Sequence, residues 1–301
     1  MTSPERLATL PPPARGVDPV ERARPVRRSN AAGVLLTYVV LIAGFLITVG
    51  PFVLSVMTAL KSPRQFASQS ALAPPAPVSF ENFAALFGAD YSFIAPIAVT
   101  AQVVVLVLVG QLVFSVLAAY AFARVDFPFR DGFFWIYLAT LMIPQVVTVI
   151  PLYTLFSQIG LRNTFWALVL PFLFGSPYAI FLLREYFRSI PQDIIDAARL
   201  DGAGTVRILF SIVVPLSRGI LATLAIITVV THWNNFLWPL IITTGPTWQT
   251  LTVATSNLQT QYNGNWTLVM AATTIAMAPL LILYAIFQRH IISSIAITGF
   301  R

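Results

Sequence analysis

The sequence of 301 residues contains no cysteine, and only 10% of its residues are charged. The first absence excludes a disulfide scaffold and any Cys-ligated metal site or cluster. The second excludes an ordinary soluble domain, where Asp, Glu, Lys and Arg supply about a quarter of the residues. With two His in all, a clustered His/carboxylate metal centre has too few ligands. No G-x-x-x-x-G-K-[ST] phosphate loop is present, so the chain has no such nucleotide cradle. What is there in quantity is apolar: 57% of the residues are hydrophobic.

The charges are segregated. None of Asp, Glu, Lys or Arg occurs in residues 31–60, 91–123, 132–161, 163–183 or 219–288. A spanning helix needs about twenty apolar residues. The first four windows hold one helix each and the last holds two helices and a loop, so an all-α membrane protein with six transmembrane helices is expected. The helices are placed at about 32–60, 93–122, 133–156, 165–187, 220–242 and 266–287. Pro51, Pro144 and Pro151 are expected to bend their helices. Residues 61–90 read as an external loop, with a short amphipathic helix near Phe80–Phe87. The segment 243–265 reads as a second, uncharged external loop.

Residues 1–31 are Pro/Arg-rich, read as a disordered tail. They have no apolar core and no cleavage site, so they are not expected to be a signal peptide. The net charge of +7 invites a nucleic-acid reading, but the basic residues flank hydrophobic spans, so no nucleic-acid partner is expected. With the N-terminus inside, fifteen Lys/Arg fall on the inner side, and Lys61, Arg64 and Arg162 on the outer. The positive-inside bias therefore predicts a multi-pass membrane protein with both termini cytoplasmic.

The polar stretch from Ile190 to Ala203 lies between two hydrophobic spans. Pro191 suits the first turn of a helix, and Asp193 complements its positive end. Ile194, Ile195, Ala198 and Leu200 are expected on one apolar side, and Asp196, Arg199 and Asp201 on the polar side. Gly202 is placed to end the helix in a left-handed conformation. A second helical segment starts near Thr205 and leads to Pro215. Two readings fit this pattern: an interfacial helix on the inner leaflet, and an element shaped to be gripped by a partner.

This stretch resembles the EAA loop of ABC importer permeases: a triad, a glycine, and an I-x-x-P further on. Here these are Asp196-Ala197-Ala198, Gly202, and Ile212 with Pro215; the departure is Asp196 in place of Glu. Thr140-Leu141-Met142-Ile143-Pro144, Ile150-Pro151-Leu152-Tyr153, Gly160-Leu161-Arg162-Asn163-Thr164 and Trp233-Asn234-Asn235-Phe236-Leu237-Trp238-Pro239-Leu240 are similar to the carbohydrate-importer branch, in particular the maltose-type second permease. The resemblance covers about residues 91–301. It implies a type I ABC importer permease fold, with five helices in a core domain and a coupling loop at 189–216. It implies that Asp196, Ala197, Ala198, Arg199, Leu200, Asp201, Gly202 and Ala203 dock on a cytoplasmic ATPase. The resemblance places the chain in the bacterial inner membrane, and the partners implied are a second permease, two ATPase subunits, an extracytoplasmic solute-binding protein, membrane lipid and a sugar. No cofactor is implied for this chain; ATP and Mg belong to the ATPase subunits, and the permease itself is not an enzyme.

No Asp, Glu, Lys or Arg is expected within the bilayer, which favours a neutral solute and an external energy source. Gln145, His232, Trp233, Asn234, Asn235 and Trp238 are the candidates for the substrate path. Asn offers a donor and an acceptor to hydroxyls, and Trp a flat face to a sugar ring. For His232 a hydrogen bond to a neighbouring helix is the alternative, for Trp238 an aromatic belt, and for Asn234 and Asn235 the helix interface. A second function class is a self-sufficient carrier or an intramembrane enzyme, for which Ser176 and His232 are the available pair.

Overall fold

A computed structural model describes residues 31–260 and 264–298, without the side chains of 31, 260 and 289–298. The expected N-terminal tail lies outside the described residues, apart from Ala31. The chain divides into two units, residues 1–50 and 51–301. In the first, the described residues 31–50 are helical, apolar and mostly exposed. They begin α1 (Ala31–Ala59), a single helix that continues through Pro51.

The second unit is all-helical among its described residues. Four helical stretches are long and apolar enough to cross a membrane: 32–59, 94–124, 165–189 and 266–288. Two further spans are bent pairs, which brings the number to six if each pair is one span.

Two short helices open this unit. Helix α2 (Pro63–Ser68) carries a capping box in which Ser62 and Gln65 satisfy each other's backbone N–H, with Pro63 in the first turn. The sequence signal for it, Ser-Pro-x-Gln, is a known helix start inside what reads as plain loop. Helix α3 (Glu81–Phe87) matches the expected amphipathic segment and buries Asn82 and Leu86. Asn82 Nδ2 donates to the carbonyls of Ala59 (2.7 Å) and Lys61 (2.8 Å), and its Oδ1 accepts from Thr267 (2.8 Å). It thereby caps the last turn of α1. Removing it orphans two carbonyls, so Asn82→Leu is expected to cost about 2–3 kcal/mol, read as a lower Tm of the purified protein in lipid.

The long helix α4 (Ile94–Arg124) is the centre of the unit and packs on the fourth and fifth spans. The third span is not one helix. Helix α5 (Arg130–Ala139) and a 3-10 turn (Thr140–Met142) meet α6 (Gln145–Gln158) at 100°. Pro144 has no N–H to give, and it holds Ile143 extended (φ −82°, ψ 115°). The sequence reading expected a kink there; the structure breaks the helix, while Pro151 stays inside α6.

The fourth span is α7 (Phe165–Leu173) and α8 (Pro177–Ser189), separated at Phe174-Gly175-Ser176. Ser176 caps α8 by accepting from Ala179 N at 3.1 Å. Next come α9 (Gln192–Leu200), α10 (Thr205–Ile208), a π-helical turn (Leu209–Val213) and α11 (Val214–Leu216). Pro215 cannot bond the carbonyl of Ser211, and the ladder widens into the π turn just before it. The chain then turns 80° into α12 (Arg218–Trp233).

The fifth span was expected to run on to residue 242. It stops at Asn234 and resumes as α13 (Leu237–Ile242). Pro239 leaves the carbonyl of Asn235 without its helical partner, and Thr252 Oγ1 donates to that carbonyl at 2.8 Å. Thr252 belongs to α14 (Leu251–Thr260), a helix inside the expected loop 243–265. Helix α15 (Trp266–Thr298) follows, with Pro279 inside it.

Candidate functional site

A cavity of about 870 Å³ opens where these interruptions meet. Its walls come from α4 (Gln111), the α5–α6 break (Thr140 to Val149), the α7–α8 break (Pro171 to Ala179) and the α12–α13 break. Each break replaces regular helix by side chains that face inward, so the prolines of this sequence shape the cavity. None of Asp, Glu, Lys or Arg lines it. Hydroxyls and amides supply its polarity, including those of Gln111, Thr228, Thr231, Gln145, Asn234 and Asn235.

Five of the six residues read from sequence as path candidates border this cavity: Gln145, His232, Asn234, Asn235 and Trp238. Trp233 does not; it faces a second cleft. The role expected of the two tryptophans needs correction. Trp238 is 2% exposed, and its Nε1–H donates to Ala167 O at 2.8 Å. That carbonyl is the one Pro171 leaves without a helical partner. Trp238 is therefore a staple between α13 and α7, with Phe156 edge-on at 5.8 Å, rather than an open platform for a ring. Trp233 is 8% exposed and donates to Ala276 O at 2.9 Å, one turn before Pro279. His232 has no hydrogen bond from its ring among the described residues; it packs at 5.0 Å on Phe172.

Sequence reading missed Gln111 and Thr228. Both are buried, and Thr228 Oγ1 donates to Gln111 Oε1 at 2.9 Å. A glutamine in the middle of a charge-free span was the available signal, because an amide in the bilayer needs a partner. Ser176, the nucleophile of the intramembrane-enzyme alternative, is occupied as the α8 cap, and no contact with His232 accompanies it.

The second candidate region is the polar stretch at α9. Ala203 N bonds Ala198 O at 2.9 Å, and Gly202 N bonds Arg199 O at 2.9 Å. Together they form a complete Schellman motif around Gly202, at φ +81°. Ile195 and Ala198 are buried beneath α9, as expected. Leu200 is not: it is 90% exposed, and Ile194 is 41% exposed. The helix thus offers an apolar rim of its own, outside the buried face. Asp196 is held within α9 by Gln192 (2.9 Å) and Arg199 (3.3 Å).

This helix is clasped to the spans by Arg124, and a second arginine, Arg184, ties α8 to α5 beside it. Arg124, at the end of α4, donates to the carbonyls of Phe187 (2.6 Å) and Ile190 (2.5 Å) and to Gln192 Oε1 (2.5 Å). A polar chain therefore runs from α4 through Gln192 to Asp196. Arg184 lies over the Phe134 ring at 4.0 Å and pairs with Asp131 (3.1 Å) and Glu185 (2.7 Å). Arg124→Ala takes a charged donor from the carbonyls of Phe187 and Ile190, and Phe187 O keeps only the Ile190 N–H at 3.3 Å, so a loss of about 2 kcal/mol in stability is expected. Arg124→Lys is expected to recover less than half of it, because an ammonium cannot fork between them. Thermal unfolding of the purified protein measures both.

Residues 111–297 match the model of the family described as "Binding-protein-dependent transport system inner membrane component". The chain belongs to this family. The permease is 33% identical over 225 residues to the arabinooligosaccharides transport system permease protein of Halalkalibacterium halodurans, covering 75% of this chain and 80% of that one. It is 37% identical over 187 residues to the sn-glycerol-3-phosphate transport system permease protein of Yersinia pestis, covering 60% of this chain and 65% of that relative. Its fold is that of a bacterial ABC transporter involved in the import of the acidic polysaccharide alginate, with a TM-score of 0.79 at 23% identity over 87% of this chain and 97% of that chain. The permease is thus a non-catalytic inner-membrane subunit of an ABC transporter with a type I permease fold.

Proposed function

We propose that the permease forms half of the path of an ATP-driven importer for a neutral sugar or related polyol. A second, similar permease supplies the other half. Two cytoplasmic ATPase subunits, which hold ATP and Mg, dock on α9 of each permease. A solute-binding protein delivers from the opposite side, and both termini of this chain are cytoplasmic. The Lys/Arg distribution supports that orientation. Of the relatives, one is an arabinooligosaccharides transport system permease and another an sn-glycerol-3-phosphate transport system permease.

The observation that carries the solute class is the charge-free cavity at the helix breaks. Amides and hydroxyls offer both donors and acceptors to sugar hydroxyls, whereas an anion would enter without a cation to offset its desolvation. Coupling follows from the clasp: ATP-driven approach of the ATPase subunits moves α9, and Arg124 passes the displacement to α4. Access to the cavity then alternates between the two sides. The test is ATPase activity of the whole complex in lipid, with and without its binding protein, against neutral and anionic sugars. Stimulation by a binding protein loaded with one neutral sugar is expected. Activity indifferent to every loaded binding protein sinks the proposal.

A further inference from the structure

We infer that the cleft between α14, α15 and the α12–α13 break is a second subsite for a neutral polyhydroxylated solute, continuous with the main cavity at Asn234. It measures about 330 Å³ and shares Asn234 and Phe236 with that cavity. The volume is at the lower end of the range of sites that hold small molecules. The inference rests on the importer reading above and extends it to a solute longer than one sugar unit.

Helix α14 carries the argument. Leu251, Ala254 and Leu258 recur at helical spacing and are buried in the core with α15. Thr252, Thr255, Ser256 and Gln259 stand at i, i+3, i+4 and i+7, a separate polar stripe, and all four line the cleft. An uncharged polar stripe turned into a cleft between apolar helices calls for a polar occupant. Phe236 adds apolar aromatic surface to the same walls, next to the edge of the buried Trp233.

The hydrogen bonds already made decide which occupant fits. Thr255 Oγ1 donates to Leu251 O, Thr273 Oγ1 to Val269 O and Thr252 Oγ1 to Asn235 O, each at 2.8 Å. Asn234 Nδ2 donates to Val230 O at 2.8 Å. The threonine hydroxyl hydrogens are engaged, so the threonines turn oxygen lone pairs outward, while the second Nδ2 hydrogen of Asn234, the Gln259 amide and the Ser256 hydroxyl can still donate. No Lys, Arg or His borders the cleft. An uncharged lining of hydroxyls and amides, rich in acceptors and with a few donors, suits a ligand whose hydroxyls both donate and accept. It disfavours phosphate or carboxylate, whose negative charge would be desolvated there without a cation to offset it.

The cysteine-free sequence gives a direct test. Ser256→Cys and, separately, Asn235→Cys each place a single thiol in this chain, one per cavity. Each is labelled in the assembled complex in lipid by a small neutral thiol reagent, read as the mass of this chain. Competitors are arabino-oligosaccharides, malto-oligosaccharides and sn-glycerol-3-phosphate. Neutral oligosaccharides are expected to slow labelling at both positions, about tenfold at ten times their Kd, and sn-glycerol-3-phosphate at neither. Protection at Asn235→Cys alone overturns the second subsite and leaves the importer reading standing. Protection of Ser256→Cys by sn-glycerol-3-phosphate overturns the preference for neutral ligands. No protection at either position by any neutral oligosaccharide counts against the importer reading and this subsite together. If Ser256→Cys resists the reagent altogether, the cleft is closed and the inference fails.

Discussion

Gly202→Asn is expected to lower ATP-driven uptake by about tenfold or more while leaving the stability of the complex nearly unchanged. Gly202 sits at φ +81°, and a Cβ built there meets nothing within 4 Å in this chain. Asparagine enters the left-handed region at small cost, so the Schellman turn and its two hydrogen bonds survive. What asparagine adds is a side chain on the surface where, in the proposed function, the ATPase subunit seats α9. Tenfold corresponds to about 1.4 kcal/mol of coupling, which one displaced contact supplies. Gly202→Val makes the contrast, because a β-branched residue is strained at this φ and should lower Tm as well. The measurement is solute uptake and ATPase activity in lipid, alongside Tm. Normal uptake by Gly202→Asn would show that the glycine serves the turn alone and that α9 is not gripped there.

Gly110→Val is expected to abolish recovery of the folded complex. At Gly110 a Cβ would lie 2.6 Å from the carbonyl oxygen of Leu173 and 2.4 Å from its Cδ1. The side chain can rotate away; the carbonyl cannot, because it belongs to the last turn of α7. Helices α4 and α7 must then separate at the point where Gln111, the next residue, reaches the Phe172 carbonyl and the Thr228 hydroxyl. Overpacking of this kind costs about 1–3 kcal/mol for modest insertions, and here several contacts are lost with it. Gly110→Ala is the graded case and should fold with a depressed Tm. The yield of monodisperse complex after extraction measures the effect, and a wild-type yield from Gly110→Val would mean that α4 and α7 do not approach as described.

The membrane character, the family and the position of α9 were legible in the sequence because each depends on local pattern. Charge-free windows reveal spans whatever their packing. Pro191, Asp193 and Gly202 mark a helix start and stop through backbone chemistry alone. Five of the six path candidates border the main cavity, and for Gln145, Asn234 and Asn235 the reason is local, because amides in an apolar span need polar company in any arrangement. Tertiary structure decided the rest. Prolines 144, 171, 215 and 239 each remove one hydrogen-bond donor, which the sequence shows. Whether the orphaned carbonyl kinks a helix, breaks it or finds a new partner depends on what lies beside it. Trp238 reaches Ala167 and Thr252 reaches Asn235 across 71 and 17 residues. No periodicity encodes such pairs. They are why two tryptophans read as sugar platforms became staples, and why α14, read as loop, became the wall of a second cleft.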